Sequence, residues 1–103
     1  MSEIVTHRLR ISGRVQGVGY RVSLLATAQQ LGLKGWVRNR LDGSVEAVAQ
    51  GDARAVADLT AWAHQGPPSA RVAQVKSSPV SAQDQDAQDA LGPFAGFHVR
   101  GDA

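Results

Sequence analysis

The feature that most constrains this fold is the order in which hydrophobic periodicities follow one another along the chain. Alternating apolar and polar residues, typical of a half-buried strand, give way to apolar residues spaced by three and four, typical of a helix. Later in the chain, two strand-like segments precede a second helical pattern and a further strand. The expected elements are a strand over 7–12, a helix over 20–31, strands over 35–39 and 45–49, a helix between Asp52 and Gly66, a strand over 70–76 and a last short strand within 94–100.

This order predicts an α+β fold, a ferredoxin-like βαββαβ sandwich with two helices packed on one face of a mostly antiparallel sheet. In that topology the first two strands run parallel, and the third strand lies between them. Their carboxyl ends therefore lie at the same edge of the sheet. We expect the loop over 13–21, which follows the first strand, to meet Asn39, which ends the second.

The length and composition of the chain narrow its class. A single domain spanning residues 1–103 accounts for the whole length. Because the chain has no cysteine, disulfides, thiolate nucleophiles and cysteine-based zinc sites are excluded. The three histidines, His7, His64 and His98, lie on separate expected elements and form no pair at metal-ligand spacing. We therefore expect no metal and no cofactor.

Two further segments bear on location and mobility. The amino terminus lacks a basic region followed by an apolar run, and no apolar stretch approaches the roughly 18 residues that span a bilayer. We therefore expect a cytoplasmic protein without a membrane partner. Residues 77–93 are rich in Ser, Gln, Asp and Ala, and we expect them to form a flexible loop.

The distribution of charge points toward a small anion. The net charge of +2 is too small to indicate nucleic acid by itself. Arginines nevertheless crowd the first strand, the loop after it and the end of the second strand, at Arg8, Arg10, Arg14, Arg21, Arg38 and Arg40. A basic end on a nearly neutral protein favours a small anionic ligand. A solvated strand face would carry the same charge, so charge alone leaves both interpretations open.

The glycine-rich loop from Gly13 to Gly19 has the properties of an anion site. Glycines allow successive backbone N–H groups to point inward, and the first N–H groups of a helix lack partners within it. Arg21, in the first turn of the following helix, can place its planar guanidinium against two phosphate oxygens. The alternative is a turn that only reverses the chain.

Asn39 is the second candidate for a functional residue. Asparagine is common before a hairpin for conformational reasons alone. Its carboxamide nevertheless offers both a donor and an acceptor, so that it can orient a water molecule although it cannot deprotonate one. The expected position beside the loop favours this second interpretation.

Two segments resemble the signatures of the acylphosphatase family. Residues 13–21, GRVQGVGYR, are similar to the family's GxVQGVxFR, with Tyr20 in place of the usual Phe. Residues 35–51 begin with GWVRN and are similar to GWVxNxxxGxVxxxxxG. The resemblance covers most of residues 7–76, and two long motifs in the correct order are a strong signal.

The resemblance implies an enzyme that hydrolyses acyl phosphates to carboxylate and inorganic phosphate without a metal. It also implies that Arg21 binds the phosphate and that Asn39 positions the attacking water. The phosphate would be wrapped by the backbone N–H groups of Gln16, Gly17, Val18, Gly19, Tyr20 and Arg21. We expect a monomer. A contribution from Arg100 or Ser44 stays open, and for Ser44 a turn hydroxyl is the favoured interpretation.

Two alternatives remain. The first is a non-catalytic module of the same fold that binds phosphate, another anion or nucleic acid. RNA-recognition motifs share the topology but need exposed aromatics on the central strands, whereas the first strand offers His7, Leu9 and Ile11, so we expect no nucleic acid partner. The second alternative is an acylphosphatase-type domain that handles carbamoyl phosphate inside a larger maturation enzyme, and the length of a free-standing chain argues against it.

Overall fold

The computed structural model describes residues 3–80 and 96–101. Its elements follow the predicted order of strands and helices, and the last short strand expected within 94–100 is present over 97–99. They are β1 (Ile4–Arg14), α1 (Tyr20–Gln30), β2 (Lys34–Asn39), β3 (Val45–Asp52), α2 (Ala53–Gln65), β4 (Arg71–Pro79) and β5 (Phe97–Val99). The ferredoxin-like α+β fold is confirmed.

The sheet topology brings the ends of β1 and β2 to one edge. The strand order is β4-β1-β3-β2-β5, in which β3 is antiparallel to both β1 and β2, and β5 pairs with β2 in parallel. Ile11 of β1 and Asn39 of β2 both lie opposite Val45 of β3. Because neighbouring strands lie about 4.8 Å apart, these two residues are separated by about two strand spacings.

The hydrophobic core fills the space between the two helices and one face of the sheet. Alternate residues of β1, β2 and β3 point toward it, as the period of two requires. Buried residues of the sheet are Leu9, Ile11, Val37, Val45, Ala47 and Ala49, and those of the helices are Tyr20, Leu24, Ala28, Val56, Leu59 and Ala63. This packing holds the amino-terminal end of α1 over the edge where β1 and β2 end.

The opposite face of the sheet carries a charged cluster around one buried carboxylate. Glu46 Oε1 accepts from Arg38 Nε at 2.8 Å and from an Arg40 guanidinium nitrogen at 2.9 Å. Its other oxygen lies 3.3 Å from Arg8 Nε and 3.6 Å from an Arg10 guanidinium nitrogen. Four of the six arginines that favoured a small anionic ligand therefore surround Glu46. Most of this positive charge belongs to an internal ion-pair network and does not indicate a ligand.

The first and fourth strands are longer than the periodicity predicts. Ile4 and Asp52 are partners in the β1–β3 ladder, and His7 is paired with Pro79 in the β1–β4 ladder. The prediction of a flexible loop over 77–93 is therefore wrong for residues 77–79, because these residues pair with β1 as part of β4. Residues 81–93 of that predicted loop lie outside the described residues.

Candidate active site

The loop between β1 and α1 is shaped by two glycines with positive φ. Gly17 has a φ of 75° and Gly19 a φ of 81°, conformations that residues other than glycine rarely adopt. Gly19 directly precedes α1, and no side chain from the described part of the chain caps the helix there. Because the first N–H groups of an α-helix have no partner inside the helix, this end can bind an anion.

The loop, the first turn of α1 and the end of β2 border a pocket of about 220 Å³. Sites for drug-sized ligands begin at about 300 Å³, so this volume suits a small ligand. Arg21 and Asn39 both line the pocket, although they lie on different elements. The lining residues are Val15, Gln16, Gly17, Gly19, Tyr20, Arg21, Val22 and Asn39. The meeting of loop and strand end that the topology predicts is therefore present.

Asn39, one of the residues that line this pocket, has an unsatisfied acceptor. Its Oδ1 is buried and has no hydrogen-bond partner within residues 3–80 and 96–101. Buried polar atoms in proteins almost always have a partner, whether protein, water or ligand. A donor from a molecule bound in the pocket would satisfy this oxygen.

The Gln16 side chain is hydrogen-bonded to the hairpin between β2 and β3. Its Nε2 donates to the carbonyl oxygens of Arg40, at 2.7 Å, and of Ser44, at 2.8 Å. The part of Gln16 that can serve a phosphate is therefore its backbone.

Val18 and Tyr20 likewise use their side chains for packing. Val18 packs against the core and is absent from the pocket lining. The Tyr20 hydroxyl donates to the Ala63 carbonyl oxygen at 2.7 Å, and its ring centroid lies 5.3 Å from that of Trp62. Burial raises the pKa of Tyr20 well above its usual range.

Neither Ser44 nor Arg100 lines the pocket. The Ser44 hydroxyl donates to Asp42 Oδ1 at 2.6 Å, which confirms the turn interpretation. Hydrogen bonds from Ser44 lower the pKa of Asp42, with Arg10 contributing a smaller effect. The Arg100 guanidinium lies 5.0 Å from the centre of the Trp36 ring.

Sequence reasoning missed two apolar residues of the site, Val15 and Val22. Val15 is buried directly before the loop, whereas Val22 is 64% exposed at the rim of the pocket. Val22 could have been predicted from its place in the first turn of α1. It lies outside the stripe of Tyr20, Leu24 and Ala28 that packs into the core.

Neither a metal centre nor a membrane-spanning helix occurs within the described ranges 3–80 and 96–101. No group of three or more His, Asp or Glu side chains there could hold a metal ion. No helix within these ranges is both long and apolar enough to cross a membrane.

Comparison with known proteins identifies the family of this site. A family model described as Acylphosphatase matches residues 7–97. The chain belongs to the acylphosphatase family. A curated acylphosphatase from Thiobacillus denitrificans is 50% identical over 97 residues, which cover 94% of this chain and 98% of the relative. The chain is thus a hydrolase, with the acyl-phosphate hydrolysis that defines the family.

Solved structures agree with this assignment. The structure of an acylphosphatase from Coxiella burnetii has a TM-score of 0.80 at 35% identity and covers 94% of this chain and 93% of that one. Full-length HypF also reaches a TM-score of 0.80, at 22% identity. The match spans only 12% of the HypF chain, so this likeness shows the fold alone.

Proposed function

We propose that the pocket hydrolyses the carboxyl–phosphate anhydride by in-line attack of water on phosphorus. Arg21 and the backbone N–H groups of residues 16–21 hold the phosphate, and Asn39 orients the water. The observation that carries the proposal is that Arg21 and Asn39 line the same small pocket at the start of α1.

Arg21 and the loop supply the positive potential that this reaction needs. The transition state of phosphoryl transfer is loose, with negative charge spread over three equatorial oxygens. A planar guanidinium can bind two of these oxygens, and the N–H groups at the start of α1 can bind others. The helix fixes the N–H groups at the start of α1 before the substrate arrives, so the reaction requires little reorganisation of these donors.

Asn39 orients the nucleophile without deprotonating it. A water molecule that donates one hydrogen to the buried Oδ1 satisfies this acceptor and directs a lone pair toward phosphorus. The new P–O bond forms as the bond between phosphorus and the acyl oxygen breaks, and the carboxylate departs with that electron pair. The water proton passes to a phosphate oxygen of the substrate.

The pocket lining also supports a reaction without an enzymatic acid or base. A carboxylate leaving group has a parent acid with a pKa of about 4, so it departs without protonation. Of the lining residues in the described chain, only Tyr20 and Arg21 carry ionisable side chains. The Tyr20 hydroxyl donates to the Ala63 carbonyl oxygen, and the guanidinium of Arg21 offers hydrogen-bond donors only. We therefore expect kcat to be nearly independent of pH around neutrality.

The test measures hydrolysis of synthetic benzoyl phosphate with a chelator present. The wild type should be active. Arg21→Lys should raise the inhibition constant of inorganic phosphate about tenfold, because a bidentate contact is lost. Asn39→Ala should still bind phosphate but lose about 100-fold in kcat, because the water is no longer oriented.

Arg54→Lys, the same replacement at an exposed position of α2, is the matched control and should behave as the wild type. Chelator-sensitive activity, or an Asn39→Ala variant with undiminished kcat, would reject the mechanism. A wild type that binds phosphate and leaves benzoyl phosphate intact would instead favour a non-catalytic anion-binding module.

We further propose that residues 1–103 form one domain that works as a cytoplasmic monomer, without a metal, nucleic acid or membrane partner. Trp36 supports the absence of a nucleic acid partner. Its ring is fully buried, with the guanidinium groups of Arg38 and Arg100 each 5.0 Å from the ring centre, so a base cannot stack on it.

A further inference from the structure

One side chain joins the two halves of the active site, which lie on separate elements. Gln16 is on the phosphate loop, and its Nε2 donates to the carbonyl oxygens of Arg40 and Ser44, at 2.7 and 2.8 Å. Carbonyl oxygens only accept, so the nitrogen of the Gln16 carboxamide must face them. The two N–H hydrogens are thus directed to the hairpin that follows Asn39.

The hairpin closes through hydrogen bonds of its own. Arg40 N donates to the Ser44 carbonyl at 2.8 Å, and Gly43 N donates to the Arg40 carbonyl at 3.1 Å. Asp42 Oδ1 accepts from the backbone N–H and the hydroxyl of Ser44, at 2.9 and 2.6 Å. The contribution of Gln16 is therefore to attach an already formed turn, and the strand end beside it, to the loop.

We propose that Gln16 is a positioning residue that sets the distance between the phosphate loop and the Asn39 carboxamide. It acts through the backbone of Arg40, the residue directly after Asn39. This proposal rests on the function proposed above, in which water held by Asn39 must lie in line with the phosphorus. Misplacing a reacting group by about 1 Å lowers a rate by about 100-fold.

Gln16→Glu tests this role with a side chain of the same shape. At neutral pH the carboxylate has no hydrogen to donate to either carbonyl oxygen. We expect kcat for benzoyl phosphate to fall about 100-fold. The inhibition constant of inorganic phosphate should change less than about threefold, because Arg21 and the loop N–H groups that bind phosphate are retained.

The same variant offers a pH-dependent rescue. Two facing carbonyl oxygens disfavour the ionised carboxyl and raise its pKa, and once protonated it can donate one hydrogen bond. Its kcat relative to wild type should therefore rise about tenfold between about pH 8 and pH 5. The other charged groups flanking the loop, on α1 and on the hairpin are Arg14, Arg21, Arg40 and Asp42. Hydrogen bonds from Ser44 lower the pKa of Asp42.

Two further variants complete the experiment. Gln16→Leu removes both donors and adds no titratable group, so its kcat should stay low throughout the pH range with phosphate binding retained. Gln30→Glu, at the exposed end of α1, should match the wild type. If Gln16→Glu does not fold, the contrast between kcat and phosphate affinity in Gln16→Leu gives the same test.

Wild-type kcat in Gln16→Glu or Gln16→Leu would overturn the proposal. So would an equal loss of kcat and phosphate affinity, which is the behaviour of a loop that has merely lost its structure. An inactive wild type would count against the catalytic mechanism itself, whereas a defect confined to the Gln16 variants concerns positioning alone.

Discussion

The hydroxyl of Tyr20 replaces a hydrogen bond that the end of α2 cannot make. The carbonyl oxygen of Ala63 would ordinarily accept from the N–H four residues later, but that position is Pro67, which has none. Tyr20 donates to this oxygen at 2.7 Å from the first turn of α1. The departure from the family's usual Phe at this position therefore links the start of the active-site helix to the end of α2.

Removing this hydroxyl should weaken the fold and leave the chemistry intact. Tyr20→Phe leaves the Ala63 carbonyl oxygen without its side-chain donor, which should lower the free energy of unfolding by about 1 kcal/mol. Urea denaturation measures this change, and kcat for benzoyl phosphate serves as the internal control and should not move. An unchanged free energy of unfolding would show that water replaces the hydroxyl at no cost.

Residue types near the site were more predictable than the directions of their side chains. Arg21 and Asn39 could be singled out because a guanidinium and a carboxamide have chemistry that the motifs require. Nothing in the sequence shows that the side chain of Gln16 donates to the hairpin and not to a ligand. That difference depends on where the hairpin lies in space.

At the scale of elements, the structure follows hydrophobic periodicity wherever one face is buried. The start of α1 at Tyr20 and the capping of α2 by Asp52, whose Oδ1 accepts from Arg54 N at 2.8 Å, agree with the sequence. Strand ends were less predictable because they depend on pairing partners. The composition of residues 77–79 predicts a loop, but in the structure these residues continue β4 and pair with β1.

Gly13 illustrates the same limit. It suggests a break, but β1 continues through it to Arg14, with a shift of register between Ser12 and Gly13. Gly13 has a φ of 119°, and a Cβ there would collide with the Arg71 carbonyl oxygen. The glycine is therefore required by a close approach to β4 and by a bulge, neither of which local composition reveals.

At the scale of the whole molecule, Glu46 couples three strands through one carboxylate. Its side chain is 3% exposed and lies at the centre of arginines from β1, β2 and the hairpin. Burial raises the pKa of Glu46, but hydrogen bonds from Arg38 and Arg40 outweigh burial and hold it below the ordinary value of 4.5. The carboxylate is thus bound in its ionised form.

The sign of the resulting pH dependence follows from this lowered pKa. The unfolded chain takes up the Glu46 proton near pH 4.5, and the folded chain takes it up only at lower pH. The stabilisation is therefore complete above that value and is lost as the pH falls through the folded-state pKa. Glu46→Gln should lower the free energy of unfolding at neutral pH by about 3 kcal/mol. In this variant the free energy of unfolding should also decrease less steeply as the pH falls below about 4.5.

Urea denaturation across this pH range measures both effects. Glu3→Gln, the same replacement at an exposed position, should retain the stability and acid response of the wild type. A Glu46→Gln variant with wild-type stability at neutral pH would show that the four arginines do not depend on this carboxylate.

We expect phosphate to bind between the loop and Asn39, and NMR tests this binding directly. Asn39 is the chain's single asparagine, so protein labelled with ¹⁵N-asparagine gives one backbone signal and one side-chain amide pair. During a titration with inorganic phosphate, both signals should shift along a saturating curve, with a weaker apparent affinity in Arg21→Lys. Phosphate that saturates the protein while these signals stay in place would contradict the account.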